Sequence, residues 1–312
     1  MKKYFKIMML VGAMFSLAAC AGTKQESKKE DKLNIVTTFY PMYDFADKIV
    51  QDKGNVSMLI DGGVEPHDYE PSPKDMAKIQ EADVFIYNSH EMETWVESVL
   101  KNIDTSKVKV IEASKGIELL EGSHEESEGE DEKEDGHSHA VDPHVWLDPV
   151  LVQKEVETIS KGIIAVDEKN KDSYTKNTAD FNKKLETLNQ NFESNLKEAK
   201  NREFVTQHMA FSYLAHRYNL KQVPISGLSP DQEPTPKELK QIEDFVKNKK
   251  IEIIYTESSA SPKIAKTISD ATGANLDVLN PMENLSKKER ENGADYISVM
   301  EKNLEALKKS IK

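Results

Sequence analysis

The sequence predicts an α/β protein with two lobes, each built on a mostly parallel four-stranded sheet flanked by helices, joined by one long rigid helix. The first observation is that short apolar strands alternate with amphipathic helices along most of the chain, a pattern typical of parallel sheets covered on both faces. The second is a helical pattern over about residues 169–200, with α/β patterns before and after it. We therefore assign residues 33–168 to an N-terminal lobe and residues 201–312 to a C-terminal lobe.

The first lobe shows four strand patterns separated by helices. The predicted strands cover residues 33–39, 55–60, 83–88 and 107–112, and the predicted helices cover residues 42–53 and 93–103, with a further helix that opens at Ser72-Pro73. Proline suits the first turn of a helix, because the N–H that it lacks would have no helical partner there.

A charged insertion interrupts this lobe at residues 121–139. Residues 121–135 contain nine acidic residues and one lysine, and they are followed by Gly136-His137-Ser138-His139. Because the segment has almost nothing to bury, we predict a mobile loop. It is either a solvated acidic insertion or a low-affinity cation collector, in which His124, His137 and His139 lie among carboxylates.

The long helix is predicted from aromatic residues and leucines that recur at intervals of seven, four and three residues, as on one face of a helix. These residues are Tyr174, Phe181, Leu185, Leu188, Phe192 and Leu196. A helix over residues 171–200 would span roughly 45 Å, which exceeds a small lobe and suits a strut between two lobes. The alternative is a core helix of a single domain.

The second lobe repeats the strand and helix alternation. The predicted strands cover residues 203–207, 221–225, 251–256 and 275–279, and the predicted helices cover residues 209–218, 236–248, 261–272 and 296–311. A further predicted helix, over residues 150–166, belongs to the end of the first lobe. Thr235-Pro236 with Glu238 predicts a capping box at one helix start, and Gly273 predicts a helix end.

The first residues predict export and lipidation. Three lysines precede an apolar stretch over residues 7–17, which is too short for a comfortable membrane span. The following Leu-Ala-Ala-Cys resembles a bacterial lipobox, so we predict a signal peptide over residues 1–19, lipidation of Cys20 and a flexible tether over residues 20–32. An ordinary secretory signal with a chance cysteine is the alternative. Cys20 is the only cysteine, which excludes an internal disulfide.

The negative net charge of the chain argues against nucleic acid as a partner. The chain has a net charge of −13, and removing residues 1–19 deletes three lysines and no acids, which leaves −13 − 3 = −16. Nucleic-acid binding depends on neutralising phosphates, so an acidic protein of this kind is a poor candidate for it.

His144 lies between two Asp-Pro pairs in the sequence AVDPHVWLDP, which covers residues 140–149. Proline fixes its own φ and biases the preceding residue towards extended backbone, so both sides of His144 are restrained. A metal ligand needs such restraint, although a lone histidine is more often structural.

Three other residues occupy places where open α/β sheets bind ligands. His67 follows the second strand, His208 directly follows the strand EFVTQ, and Glu283 follows the strand NLDVL. With His144 they supply two groups from each lobe, so a cation in the interlobe cleft could collect all four. Three imidazoles and one carboxylate suit Zn²⁺, and the affinity should fall below about pH 6.5, where histidine is protonated.

Other interpretations stay open from the residues alone. His67 could be an ordinary loop residue, and His208 could be a helix cap or a core group. Glu257 also follows a buried strand and rivals Glu283 for the carboxylate position, or it interacts with the start of the next helix. His90 is interpreted as a residue of the cleft lip.

The order and spacing of several segments resemble one family. They are TTFYPMYDFA (37–46), GVEPHDYEPSPKD (63–75), DPHVWLDP (142–149), FVTQHMAFSYLAHRYNL (204–220), GLSPDQEPTP (227–236), ESSASPKIA (257–265) and VLNPMENL (278–285), together with the acidic histidine insertion. From about Leu33 onward the chain is similar to the zinc-binding lipoproteins of bacterial ABC metal importers, in the zinc branch of the cluster A-I solute-binding proteins. The resemblance implies that His67, His144, His208 and Glu283 bind the metal, and it favours Glu283 over Glu257. Manganese members of the family carry a carboxylate where this chain has His208.

The resemblance also implies a function. We expect a monomeric lipoprotein, not an enzyme, that captures one Zn²⁺ as transported substrate and delivers it to an ABC permease driven by its ATPase. It would lie at the extracytoplasmic face of the cell membrane, with a Gram-positive cell surface favoured. The alternatives are a manganese-binding member, an adhesin for host matrix proteins, and a zinc hydrolase. No HExxH motif or nucleophile elbow supports the hydrolase.

Overall fold

Eight strands form two sheets of four in the computed structural model of the protein, which describes residues 32–122, 141–258 and 260–312. The strands are β1 (Leu33–Thr37), β2 (Gly54–Met58), β3 (Val84–Tyr87), β4 (Lys109–Glu112), β5 (Glu203–Thr206), β6 (Lys221–Pro224), β7 (Ile253–Thr256) and β8 (Asn275–Val278). The order is β2-β1-β3-β4 in the first sheet and β6-β5-β7-β8 in the second. Every pairing is parallel, which confirms the predicted fold class.

Ten α-helices connect and cover these strands in the described part of the chain. They are α1 (Tyr40–Val50), α2 (Pro73–Gln80), α3 (Val96–Leu100), α4 (Pro149–Val166), α5 (Lys171–Leu196), α6 (Ser212–Arg217), α7 (Pro236–Lys249), α8 (Lys263–Thr272), α9 (Lys287–Glu291) and α10 (Tyr296–Ser310). Short 3₁₀ turns lie at Gln51–Lys53, Val145–Leu147 and Glu168–Asn170.

The predicted helix ends have the expected chemistry. Thr235 and Glu238 form the capping box of α7, and Ser72 forms another with Asp75 at the start of α2. Gly273 follows α8 with a φ of 82°, a left-handed conformation that glycine adopts without strain.

Three helices differ from the prediction. Helix α3 is only five residues long, because the residues on both sides of it form turns instead of extending it. Helix α6 begins at Ser212 and not at residue 209, because residues 207–209 form a bend after β5, where the N–H of Met209 donates to the carbonyl of Gly227 at 2.8 Å. Helix α9 was not predicted.

Helix α5 has 26 residues and spans roughly 39 Å. It ends at Leu196, four residues before the predicted end, and all six residues of its predicted apolar face are buried. It packs against α1 and α4 beside the first sheet and against α10 beside the second. One apolar core contains residues from both sheets and from α5, and Leu33–Lys312 forms one compact unit. The assignment of residues 33–168, 169–200 and 201–312 to two lobes and a linking helix stays a prediction.

The loops that leave the carboxyl ends of the two sheets carry the candidate ligands. In the described part of the chain, none of the helices is both long and apolar enough to cross a membrane. The predicted signal peptide, Cys20 and the histidines of the acidic insertion, His124, His137 and His139, lie outside the described residues.

Candidate metal centre

Four predicted ligands converge on one point. His67 lies in the loop after β2, His144 immediately precedes the 3₁₀ turn Val145–Leu147, His208 follows β5, and Glu283 follows β8. One ligand atom from each of the four side chains lies within 4.8 Å of the others. The structure therefore brings together groups that are up to 216 residues apart in the sequence (283 − 67 = 216).

The spacing of these atoms suits a small tetrahedral ion. Oε1 of Glu283 lies 3.2 Å from Nε2 of His144, 3.2 Å from Nε2 of His208 and 3.5 Å from Nε2 of His67. The two Nε2 atoms of His144 and His208 are 3.4 Å apart. Bonds of 2.0–2.1 Å to zinc give a tetrahedral edge of roughly 3.3 Å, so the observed spacing needs little adjustment.

Burial separates one ligand from the other three. The side chains of His144, His208 and Glu283 have no exposed surface, whereas that of His67 is 11% exposed. Nε2 of His67 and Oε2 of Glu283 are buried without a hydrogen-bond partner among the described residues. Buried polar atoms nearly always have a partner, so the chemistry of these two atoms fits the role of cation ligands.

The imidazole of His144 is held by the carboxylate of Asp142. Oδ1 of Asp142 accepts hydrogen bonds from the backbone N–H of His144 at 2.9 Å and from its Nδ1 at 2.7 Å. Asp148 caps α4, and the indole N–H of Trp146 donates to the carbonyl of Pro281 at 2.8 Å. The segment around His144 is thereby tied to the segment that carries Glu283.

His208 is held by Glu257 in the same manner. Oε1 of Glu257 accepts from Nδ1 of His208 at 2.6 Å and from its backbone N–H at 3.2 Å. Glu257 therefore lies behind the imidazole, on the side away from Glu283, and is absent from the group of converging ligand atoms.

The charges of the centre shift its ionisation. Burial lowers the pKa of His208, but the carboxylates of Glu283 and Glu257 outweigh this effect and raise its pKa well above the usual value. The pKa of His144 is likewise raised, because Asp142 and Glu283 outweigh the effect of burial. Burial raises the pKa of Glu283, yet the neighbouring histidines bring it well below the usual range. Protons and a cation would therefore compete for the same atoms of this centre.

Two carboxylates near the centre were not among the predicted site residues. Asp142 would have been detectable as the carboxylate two residues before His144. Glu65 accepts a hydrogen bond from the backbone N–H of His67 at 3.2 Å, and burial together with Glu283 raises the pKa of Glu65 to about 7. His90, the predicted lip residue, pairs through Nε2 with the hydroxyl of Tyr87 at 3.0 Å and does not belong to the ligand group.

Comparison with known proteins agrees with this geometry. Residues 35–310 match the family model of ZnuA, described as the periplasmic component A of a zinc-uptake complex. The high-affinity zinc uptake system protein ZnuA of Bacillus subtilis is 48% identical, and the match covers 99% of this chain and 98% of that protein. The zinc-binding lipoprotein AdcA of Streptococcus pneumoniae strain R6 is 47% identical over 99% of this chain, and this chain spans 61% of the length of AdcA.

The likeness extends to three dimensions. The crystal structure of the Zn(II)-bound ZnuA-like domain of Streptococcus pneumoniae AdcA superposes with a TM-score of 0.77 at 46% identity, covering 90% of this chain and 99% of that one. That domain was crystallised with the ion that three imidazoles and one carboxylate suit.

Proposed function

Because the chain belongs to the ZnuA family of zinc-uptake proteins, we propose that His67, His144, His208 and Glu283 bind one Zn²⁺ ion as transported substrate. The observation that carries this assignment is the convergence of the four ligand atoms from loops of both sheets, at separations close to a tetrahedral edge. Four protein ligands would close the shell, whereas a catalytic zinc keeps an open position for water. The protein thus acts by binding and releasing zinc, in a family of solute-binding proteins, and not as an enzyme.

The ligand set favours zinc over manganese. Imidazole is a borderline ligand that zinc accepts readily, while manganese prefers carboxylate, carbonyl and water oxygens. His208 is the residue that decides, because it supplies a third nitrogen within 3.2 Å of the single carboxylate oxygen. A manganese-binding member of the family is therefore the less favoured reading.

The difference in exposure suggests a path for the ion. His67 is the one partly exposed ligand, and its loop contacts the Glu283 segment through Asn284, whose Nδ2 donates to the carbonyl of Val64 at 2.7 Å. Zinc would enter and leave on the His67 side, after displacement of this loop. The packing of α5 against helices beside both sheets limits larger hinge motion.

The cellular setting follows from the family and from the first residues. The family belongs to zinc-uptake complexes, and we place the protein as the extracytoplasmic donor of zinc to an ABC permease with its ATPase. Lipidated Cys20 would hold the monomer at the cell membrane, with a Gram-positive surface favoured. The acidic insertion with His124, His137 and His139 would raise the local zinc concentration. An adhesin is the less favoured alternative, because the described contacts build a metal centre and the relatives compared above are named for zinc.

The test is competitive zinc titration with elemental analysis of the mature protein, residues 21–312. We expect one tightly held zinc per chain, and its loss in His144→Ala and in His208→Ala. His216→Ala is the matched control, because His216 is exposed on α6 and contributes no ligand. A wild-type protein without stoichiometric zinc, or histidine variants that retain it at unchanged affinity, would overturn the assignment.

A further inference from the structure

Two of the four ligands share a hydrogen-bond arrangement that the other two lack. In His144 and in His208, a single carboxylate oxygen accepts both the backbone N–H and the ring Nδ1 of the same residue. The carboxylates are Asp142 and Glu257, whose side chains are 0% and 2% exposed. They come from different parts of the fold, since Asp142 precedes its histidine by two residues and Glu257 follows β7.

This contact determines where the proton of a neutral imidazole resides. A carboxylate accepts hydrogen bonds and does not donate them, and the Nδ1 contacts, at 2.7 and 2.6 Å, are shorter than the Nε2 contacts with Glu283, at 3.2 Å. The neutral ring therefore carries its proton on Nδ1 and its lone pair on Nε2. The second contact, to the backbone N–H, fixes the carboxylate oxygen relative to the histidine main chain. Both Nε2 lone pairs then point to the same place, and each Nε2 atom lies 3.2 Å from Oε1 of Glu283.

Asp142 is itself held across the protein by Tyr213. The hydroxyl of Tyr213 on α6 donates to the carbonyl of Asp142 at 2.7 Å and accepts from the N–H of Leu120 at 2.8 Å. The N–H of Asp142 donates to the carbonyl of Leu120, also at 2.8 Å. Tyr213 is only 3% exposed, so these bonds form in a region from which water is largely excluded.

Glu257 has its own support from the strand end beside it. Its backbone N–H donates to Oε1 of Gln207 at 3.3 Å, and Nε2 of Gln207 donates to the carbonyl of Ser261 at 3.1 Å. The carboxylates behind His144 and His208 are therefore each fixed by neighbours that are not ligands.

His67 differs from these two histidines. Within the described residues, its imidazole contacts a carboxylate only through Nε2, at Glu283, and the carboxylate of Glu65 accepts from its backbone N–H alone. His67 is also the only ligand with appreciable exposure, at 11% of its side chain.

We propose that Asp142 and Glu257 are positioning residues that preset the Nδ1–H tautomer of His144 and His208 before the metal arrives. These two histidines and Glu283 then form a preformed partial site with three of the four donor atoms, and His67 supplies the fourth. The inference rests on the proposed zinc site. It adds to that site two carboxylates that never touch the ion and a tyrosine that holds one of them.

The test compares variants that keep an acceptor oxygen with variants that remove it. Oδ2 of Asp142 and Oε2 of Glu257 have no hydrogen-bond partner among the described residues. The NH₂ group of Asp142→Asn or Glu257→Gln can occupy that position without displacing a bond, while Oδ1 or Oε1 still accepts from the imidazole. Asp142→Ala and Glu257→Ala leave no acceptor.

The first readout is the imidazole tautomer in the metal-free mature protein, measured by long-range ¹H–¹⁵N NMR at alkaline pH, where the rings are neutral. We expect His144 and His208 to hold the Nδ1–H form in the wild type and in the amide variants. Each alanine variant should show a mixture of tautomers at its own histidine alone. A mixture at both histidines in the wild type would overturn the proposal.

The second readout is zinc affinity by competition with a chelator. The alanine variants should bind zinc 10- to 100-fold more weakly, as is usual when a partner of a metal-bound histidine is removed, and the amide variants should stay within about tenfold of the wild type. Tyr213→Phe should weaken binding by roughly two- to tenfold, whereas Tyr218→Phe, which removes a hydroxyl bonded to Asn189 at 3.0 Å, should not.

The outcomes separate this inference from the zinc assignment. Folded alanine variants with wild-type tautomer and affinity would overturn the positioning role and leave the zinc site intact. If an alanine variant fails to fold, the amide variants decide, and a loss above about tenfold in a folded amide variant overturns the proposal. A wild-type protein with the expected tautomers but without stoichiometric zinc would instead reject the proposed function.

Discussion

His144 and His208 approach one another from loops of different sheets, and their Nε2 atoms lie 3.4 Å apart. Two neutral imidazoles held in this way direct two lone pairs at the same small volume, together with a carboxylate oxygen 3.2 Å from each. Such a concentration of electron pairs is unfavourable unless a proton or a cation lies between them. A proton and a metal ion therefore compete for this place, in agreement with the raised pKa values of His144 and His208.

The first prediction concerns Glu283, the only carboxylate among the four proposed ligands. Glu283→Gln keeps the volume of the side chain but removes the negative charge that three imidazoles face. Zinc affinity should fall at least 100-fold, the upper end of what changes around metal ligands cost. Competition with a fluorescent chelator would measure the loss. Glu291→Gln, at the end of α9 with an exposed side chain, is the control and should bind as the wild type does.

The second prediction concerns metal choice. His208→Glu replaces a borderline nitrogen with a hard oxygen, and manganese prefers oxygen ligands. We expect the ratio of manganese affinity to zinc affinity to rise at least tenfold, measured by loading with both ions and elemental analysis. His216→Glu adds the same charge at an exposed position of α6 and should leave the ratio unchanged. An unchanged ratio in His208→Glu would mean that this position does not set selectivity.

The third prediction concerns the loop that carries His67. Nδ2 of Asn284 donates to the carbonyl of Val64 at 2.7 Å, and Arg290 contacts Asp61 at 2.7 Å, so the loop is tied to the Glu283 segment twice. Asn284→Ala removes one tie, and a hydrogen bond of this type contributes about 1 kcal/mol, or roughly fivefold.

We therefore expect zinc to dissociate roughly fivefold faster from Asn284→Ala, measured by stopped-flow mixing with excess chelator. Lys287→Ala is the control, because Lys287 lies on α9 between these contacts with a side chain that is 77% exposed. Equal dissociation rates in Asn284→Ala and the wild type would show that release does not require this contact to break.

Glu257 and Glu283 show how much of the site could be predicted from the sequence. Parallel strands end at one edge of a sheet, so Glu257 and Glu283 were both expected at that edge, as rivals for the carboxylate position. The register decides their places, because β7 pairs directly with β5, with Thr206 opposite Tyr255. Glu257 is consequently beside the main chain of His208 and reaches behind its imidazole, a relation that strand patterns alone cannot supply.

Helix α9 was not predicted, for a different reason. Its sequence, KKERE, has no apolar periodicity, and none of its residues is buried, so a pattern that depends on a buried face cannot detect it. A local signal was present, since Ser286 and Glu289 have the spacing of a capping box and form one. The long helix α5 was recognised because its six buried residues follow one face over its whole length.

A buried acid away from the metal centre gives the last prediction. Glu155 on α4 has no exposed surface, and neither of its carboxylate oxygens has a hydrogen-bond partner among the described residues. Burial, together with the nearby Glu93 and Asp148, raises the pKa of Glu155 well above its usual 4.5. Burial also raises the pKa of Glu93 to about 7.

These raised pKa values determine how the free energy of unfolding changes with pH. Above pH 4.5 the unfolded chain loses these protons, while the folded protein keeps them to higher pH, so the folded state binds more protons. The free energy of unfolding therefore falls as the pH rises above 4.5. Glu93 contributes to this loss of stability up to about pH 7, and Glu155 contributes to it at higher pH as well.

Glu155→Gln removes the ionisation of Glu155 and keeps its shape. We expect the metal-free variant to be more stable than the wild type by ~1–3 kcal/mol at about pH 8, with the difference shrinking towards about pH 5, measured by urea unfolding at both values. Glu157→Gln on the same helix is the control, since Glu157 is exposed and pairs with the exposed Lys161, so the stability of this variant should differ little from the wild type at either pH. A variant less stable than the wild type at the higher pH would mean that Glu155 is ionised and satisfied in the folded protein, for example by a bound cation.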